Sequence, residues 1–255
     1  MLIIDGQNID IKDLELISDK GSECIVYRYK NTVIKLFRKD YEFSNFSLDD
    51  IDYVKDIKTR RILFPTNAII DKDNNVVGYQ MPYVKGVKDI QKEPMHKILK
   101  ELLIIQFDLL LLEKLNIGLL DINPSNSIYN GKLYLIDPGN YLINDMSTIK
   151  RQLDPLNECN DNEKLLRTWN ENKINQLFDM LLFSQNPKID PYQFRLIAQF
   201  FQKEKARKRT NYNYEVFKEF FDPELTVEDA IKKFMKQYIK INKQERDWYL
   251  SGYRK

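Results

Sequence analysis

The chain reads as β-rich over its first 84 residues and as helical thereafter, which predicts a two-lobed α+β fold: an antiparallel β-rich lobe over 1–84 and a mainly α-helical lobe over 85–255. Three observations predict it. Two runs rich in Val, Ile, Tyr and Phe are each broken by turn residues. Apolar positions after Gly86 recur at helical spacing. The joint between the two patterns falls in MPYVKG, 81–86.

In chain order, CIVYRYKNTVIKLF (24–37) holds two strands around a two-residue turn at Lys30-Asn31. SLDDIDYVKDIKT (47–59) reads as a short helix with Leu48, Ile51 and Val54 on its apolar side, and NAIIDKDNNVVGYQMPY (67–83) as a second hairpin turning at Asp73-Asn74-Asn75. Further on, Ile98, Leu102, Ile105, Leu109 and Leu112 follow one helical face and Leu99, Leu103, Phe107 and Leu110 another, the pattern of a helix enclosed on most sides. Residues 140–170 read as a short polar segment. Ile174, Leu177, Phe178, Leu181 and Leu182 repeat the helical pattern, as do Val227, Ala230, Ile231 and Phe234, capped by Thr226 and Asp229.

Composition removes several function classes. Apolar residues make up 43% and charged residues 31%, with a net charge of +2, so no global charge points to nucleic acid or a membrane surface. LLIIQFDLLLL (102–112) contains Asp108 and is too short to span a bilayer, and MLIIDGQNIDIKD does not read as a signal peptide. Two lone cysteines, Cys24 and Cys159, fit a reducing compartment, so the expectation is cytoplasmic. With His96 the only histidine, a histidine zinc site or a histidine triad is excluded. DKDNNV (71–76) starts like a calcium loop, but Val76 and Pro82 stand where an EF-hand needs Gly and Glu. KEKARKRT (203–210) and the basic, aromatic tail read as solvated helix ends.

The chemistry concentrates in LLDINPSNSIYNGKLYLIDPG, 119–139. SIYNGKLYLID reads as a hairpin turning on Asn130-Gly131, pairing Tyr129 with Lys132 and Asn126 with Leu135. That register sets Asp137 on the same face as Asn126, about 7–8 Å away as a diagonal neighbour. An amide oxygen beside a carboxylate, without sulfur or imidazole, is a hard-ion site that suits magnesium and phosphate oxygens. Asp121, on the preceding loop, is placed to act as a base.

D-I-N-P-S-N, followed eleven residues after its last Asn by D-P-G, resembles the catalytic loop and metal motif of the protein-kinase-like fold. That family's pattern is D-x-K-P-x-N, a hairpin, then D-F-G. The resemblance implies an atypical Ser/Thr-kinase-like protein that uses ATP and Mg2+, and the bias towards Asn, Ile and Lys with four alanines points to an AT-rich bacterial or phage genome. It implies Asp121 as the catalytic aspartate, Asn126 and Asp137 as metal ligands, and Lys35, in TVIKLF, as the phosphate-steadying lysine. Gly21 and Val26, in KGSECIVY, resemble a degraded glycine-rich loop, although Gly21 reads equally as a plain turn residue. The adenine is expected against the joint at Met81, Tyr83 and Val84.

The pattern has departures. One of three loop glycines remains, Leu119-Leu120 replace the usual His-Arg, Asn123 stands where the lysine would be, and Pro138 replaces the phenylalanine. Asp52 and Asp56 are the acids available to pair with Lys35. The expected activity is transfer of the γ-phosphoryl of ATP to a protein Ser/Thr or another hydroxyl. The alternatives are a pseudokinase acting as a binding module and a small-molecule phosphotransferase of the aminoglycoside or choline kinase-like kind.

Overall fold

The computed structural model describes residues 2–38, 48–120, 122–136, 141–154, 156, 158–184 and 186–252. The first lobe contains β1 (Leu2–Ile4), β2 (Gln7–Ile9), β3 (Glu15–Ser18), β4 (Cys24–Tyr29), β5 (Thr32–Phe37), α1 (Leu48–Val54), β6 (Asn67–Asp71) and β7 (Val76–Pro82). The strands form one antiparallel sheet in the order β2-β1-β6-β7-β5-β4-β3. Both expected hairpins are present. Tyr29 stands opposite Thr32, with Lys30 at φ 55°. At the other turn Asn74 takes φ 63°, and the Asp71 carboxylate accepts the Asp73 and Asn75 amides at 2.8 and 2.9 Å. The sequence reading did not resolve the β1–β2 hairpin, which pairs with β6 and covers that edge.

Helix α1 buries Ile51 and Val54, but Leu48, its first residue, is exposed. On β7, Gly78 is fixed by its neighbour strand: a Cβ there would lie 2.1 Å from the Lys35 carbonyl oxygen. No side chain fits at that position without moving β5.

The second lobe runs through α2 (Met95–Lys114), β8 (Ile117–Gly118), β9 (Ser127–Tyr129), β10 (Leu133–Leu135), β11 (Leu142–Ile143), α3 (Ser147–Leu153), α4 (Asn162–Asp179), a π-helical turn (Met180–Ser184), α5 (Pro191–Lys208), α6 (Asn213–Phe220), α7 (Val227–Tyr238) and α8 (Lys243–Gly252). This is the two-lobed α+β architecture expected from the sequence. No described helix is long and apolar enough to cross a membrane.

Three expectations need correction here. Helix α2 is enclosed less fully than expected: it packs on α4, α6 and α7 and buries Ile98, Leu102, Ile105, Leu109 and Leu112, with Leu99 of the second face and Glu101, Asp108 and Glu113, but Phe107 and Leu110 are 55% and 42% exposed. The segment 140–170 is not polar throughout: among its described residues, α3 and the start of α4 bury Ile149, Leu165, Leu166 and Trp169. Its polar residues form their outer faces, which obscured the periodicity. The third correction is the register of the β9–β10 hairpin. Leu133 stands opposite Tyr129, Tyr134 opposite Ile128 and Leu135 opposite Ser127, one residue off the expected pairing. The expected turn needs positive φ at both central residues. Gly131 takes φ 106°, but Asn130 does not take positive φ; its carboxamide accepts the Lys132 amide at 3.2 Å instead, and the loop gains a residue.

The lobes are joined through a buried ion pair. Arg61, between α1 and β6, donates from Nε and Nη2 to the Glu101 carboxylate on α2, the second contact at 3.0 Å. Glu101 also accepts the Leu133 amide of β10 at 3.0 Å. Asp108, two turns further along the same face of α2, accepts the amides of Arg60 and Arg61 at 2.9 and 2.6 Å. Leu63 and Leu135 complete the junction: the Leu63 amide donates to the Leu135 carbonyl and the Leu135 amide to the Arg61 carbonyl, each at 2.8 Å.

Removing one partner of a buried pair leaves the other charge uncompensated. Glu101→Leu is therefore expected to lower stability by about 3–5 kcal/mol, read by urea denaturation, and Arg61→Met in the same chain to restore part of the loss. A second group gives a pH dependence. Burial pushes the Asp179 carboxyl up to about 7 from 3.8, opposed in part by the Lys205 ammonium. The folded state is then the stronger proton binder, so this contribution is full below about pH 4 and is lost as pH rises towards 7. Asp179→Asn is expected to flatten that decline, by no more than ~4 kcal/mol, when unfolding is followed across this range.

Candidate functional site

A cleft of about 570 Å³ opens between the sheet and the β9–β10 hairpin. Its sheet wall comes from β4 and β5. Val26 stands opposite Lys35 in the ladder, and Val33, two residues before Lys35, shares its face. Lys35 is 6% exposed and its ammonium lies 5.7 Å from the Tyr79 ring centroid. The side nearest the joint is made by Met81, Pro82, Tyr83 and Val84. The Tyr83 amide donates to the Asn31 carbonyl at 3.2 Å, and the Arg28 guanidinium sits 4.7 Å from the Tyr83 ring centroid. The joint is also tied to the hairpin: the Lys88 amide donates to the Tyr129 carbonyl at 2.7 Å and Asn130 Nδ2 to the Lys85 carbonyl at 3.0 Å.

From the helical lobe come Ser125, Asn126, Ile128 and Ile136. Asn126 ends a 3-10 turn, Pro124–Asn126, whose N-cap is Asn123. The Asn123 carboxamide oxygen accepts the Asn126 amide at 3.2 Å and also the Ser125 hydroxyl. The Asn126 carbonyl accepts the Ile136 amide at 3.0 Å. Asn126 therefore lies across from Ile136, and the parity argument that set Asp137 on its face no longer follows.

The remaining wall is the β3–β4 turn, with Ile17, Ser18, Lys20 and Gly21. Gly21 has a local reason to be glycine, since a Cβ would lie 2.9 Å from the Cys24 carbonyl oxygen. Arg38, just past β5, grips this turn. Its Nε donates to the Gly21 carbonyl at 2.7 Å, its Nη2 to the Asp19 carbonyl, and its amide to the Glu23 carbonyl at 2.9 Å.

The cleft thus brings together Gly21, Val26, Lys35, Met81, Tyr83, Val84 and Asn126, all singled out from the sequence. Asp121 and Asp137, the other two, lie outside the described residues. Asp52, one of the acids considered for Lys35, bonds Lys55 at 2.7 Å on the exposed side of α1. Sequence reading missed Val33, Lys20, Ile128 and Ile136. Strand parity with Lys35 would have found Val33; Ile136 was hidden by the wrong hairpin register. Among the described residues no group of three or more His, Cys, Asp and Glu could hold a metal ion.

The approach to Asp121 is held from α4. The Leu119 amide donates to Asn170 Oδ1 at 2.9 Å, Asn170 Nδ2 to the Ile117 carbonyl at 3.1 Å, and Trp169 Nε1 to the Leu119 carbonyl at 2.6 Å. Asn170 is fully buried, so these bonds form away from water, where an unmade bond is costly.

Among solved structures, the autoinhibited serine kinase domain of the giant muscle protein titin aligns with 15% identity and a TM-score of 0.48, covering 91% of this chain and 83% of that chain. No protein-family model and no curated protein matches the chain. A likeness this distant carries no functional argument, and function has to be sought in the cleft itself.

The α4 anchor is testable without any substrate. Asn170→Ala removes both side-chain bonds to residues 117–119 and is expected to speed hydrogen exchange at the Leu119 amide about 5- to 150-fold, as loss of about 1–3 kcal/mol of local protection implies.

Proposed function

We propose that the protein is a phosphotransferase of the protein-kinase-like type: it binds ATP with magnesium in this cleft and transfers the γ-phosphoryl group to a hydroxyl, on a protein serine or threonine or on a small molecule. The observation that carries this reading is the convergence of Lys35 from the sheet and Asn126 from the helical lobe on one cleft with apolar walls.

The residues present fit the groups they would hold. Val26, Val33, Met81 and Ile128 offer apolar surface to a flat base; along the joint Pro82 has no amide and the Tyr83 amide is taken by the Asn31 carbonyl, which leaves the Val84 amide as the donor assigned to the base edge. The Lys35 ammonium, held in a buried position, suits phosphate oxygens. Asn126 and Asp137 are assigned the metal, an oxygen-only set that matches magnesium. Magnesium, when bound, neutralises charge on the transferring phosphoryl group. Asp121 is assigned the acceptor: it orients the hydroxyl and takes its proton as the hydroxyl oxygen bonds to the γ-phosphorus and the bond to the bridging oxygen of ADP breaks. The chain's contribution is mainly positioning and charge placement.

A second reading, a nucleotide-binding module without transfer, is favoured by one observation. Asn123 is occupied in capping its own turn, so the position that carries lysine in the resembled motif offers no cation.

Transfer of labelled γ-phosphate from Mg-ATP separates the two. The reading expects label on an acceptor or as free phosphate, lowered about 10²–10⁴-fold in Asp121→Asn. Equal label in variant and wild type overturns the role of Asp121. Mg-ATP at about 100 times its Kd is expected to raise Tm by roughly 5–10 °C, a shift absent in Lys35→Met. A shift without transfer selects the binding module.

A further inference from the structure

The β3–β4 turn gives the cleft a second cation whose place is fixed more firmly than its exposure suggests. Lys20 lines the cleft together with Lys35 and is itself exposed. The carbonyls on either side of it, those of Asp19 and Gly21, are both held by the Arg38 guanidinium, and its own amide donates to Ser18 Oγ at 3.3 Å. Gly21 cannot take a side chain without meeting the Cys24 carbonyl. The main chain at residue 20 is therefore clamped on both sides, and the only free variable is the lysine side chain. A turn that has lost two of three glycines lets fewer backbone amides approach an anion closely, and Asn123, in the helical lobe, carries no charge.

We propose that Lys20 is a phosphate-binding residue of this cleft, a cation presented by the Arg38-clamped turn that compensates for the close backbone approach the lost glycines would allow and for the absent lysine at position 123. The inference rests on the reading of the cleft as a nucleotide site. It assigns the terminal phosphates of the nucleotide to Lys20 and Lys35 together, one from the turn and one from β5. Arg38 acts at one remove, as a positioning residue: without its grip on two carbonyls the turn can swing and Lys20 loses its fixed origin.

Binding of adenosine, AMP, ADP and ATP to the full chain, with and without Mg2+, tests this by calorimetry. In wild type, affinity is expected to rise from adenosine to ATP. In Lys20→Ala the ATP affinity should fall about tenfold, the size of one charge-assisted hydrogen bond in partial contact with water, while adenosine affinity stays unchanged. Lys20→Arg should restore most of the loss. Because residue 20 is exposed, the alanine variant is expected to fold, and circular dichroism checks it. Arg38→Gln should lower ATP affinity less and, unlike Lys20→Ala, should speed hydrogen exchange across residues 19–23. An unchanged ratio of ATP to adenosine affinity in Lys20→Ala overturns the proposal while leaving the nucleotide reading intact. No binding of any of the four ligands by wild type overturns both, and that failure shows before any variant is made.

Discussion

Where the Arg61 guanidinium meets the Glu101 carboxylate, three parts of the chain converge that are distant in sequence: the segment leading into β6, the long helix α2, and strand β10. A buried pair is not in itself a stabilising device, since desolvation of both charges offsets most of their attraction. Its contribution here is geometric. Arg and Glu fix direction as well as distance, and Glu101 spends a further bond on the Leu133 amide, so the hairpin, α2 and the sheet's connecting segment share one reference point. Asp108 adds the Arg60 and Arg61 amides to the same frame. The cleft opens between parts positioned by this junction, and Lys35 and Asn126 can face one space because the two lobes are not independently hung.

The walls of the cleft divide their work by chemistry. Apolar residues come from strand interiors and the joint, where β-branched side chains pack well on a pleated surface. Besides Lys35 on β5, Ser18 at the end of β3 and Tyr83 at the joint, the polar groups come from turns: Lys20 from the β3–β4 turn, Ser125 and Asn126 from a 3-10 turn. Turn residues owe less to packing and are held by side-chain bonds to the backbone, as Arg38 holds one turn and Asn123 the other. Asn123 shows the cost of such a scheme, because a side chain that caps its turn is not available to the cleft.

Much of the fold was legible because it is written in local rules. Lys30-Asn31 and Asp73-Asn74-Asn75 mark turns through residues that tolerate positive φ or accept backbone amides, and Ile98 to Leu112 mark a buried stripe by spacing alone. What failed depended on information no local window holds. The Asn130-Gly131 pair suited a two-residue turn, yet the chain closed with three, and Asn126 changed its cross-strand neighbour from Leu135 to Ile136. Phe107 and Leu110 matched a helix enclosed on most sides, but whether a second layer covers α2 there is decided by tertiary structure. Gly78 could not be read at all, since its necessity comes from the Lys35 carbonyl on another strand. Residues of the candidate cleft were legible where a motif named them, as with Lys35 and Asn126. Lys20 stands at a variable position of the resembled glycine-rich loop, and only its neighbours Asp19 and Gly21, caught by Arg38, draw it into view.

The ends of the sheet have a bearing on how the molecule behaves among copies of itself. With β1 laid against β6, the outermost strands are β2 and β3. β2 is three residues long and presents Gln7 and Asn8. β3 carries exposed Leu16 and Ile17, a combination that invites edge-to-edge growth, but its ladder to β4 slips between Leu16 and Ser18. Such a bulge bends the strand and breaks the even row of amides and carbonyls that an incoming strand would need, and Glu15, paired with Arg28 at 3.2 Å, adds charge at its start. The strand that roofs the cleft is thus poorly shaped as a template for polymerisation, so the chain can leave apolar surface beside its cleft without that surface becoming a seed for fibres.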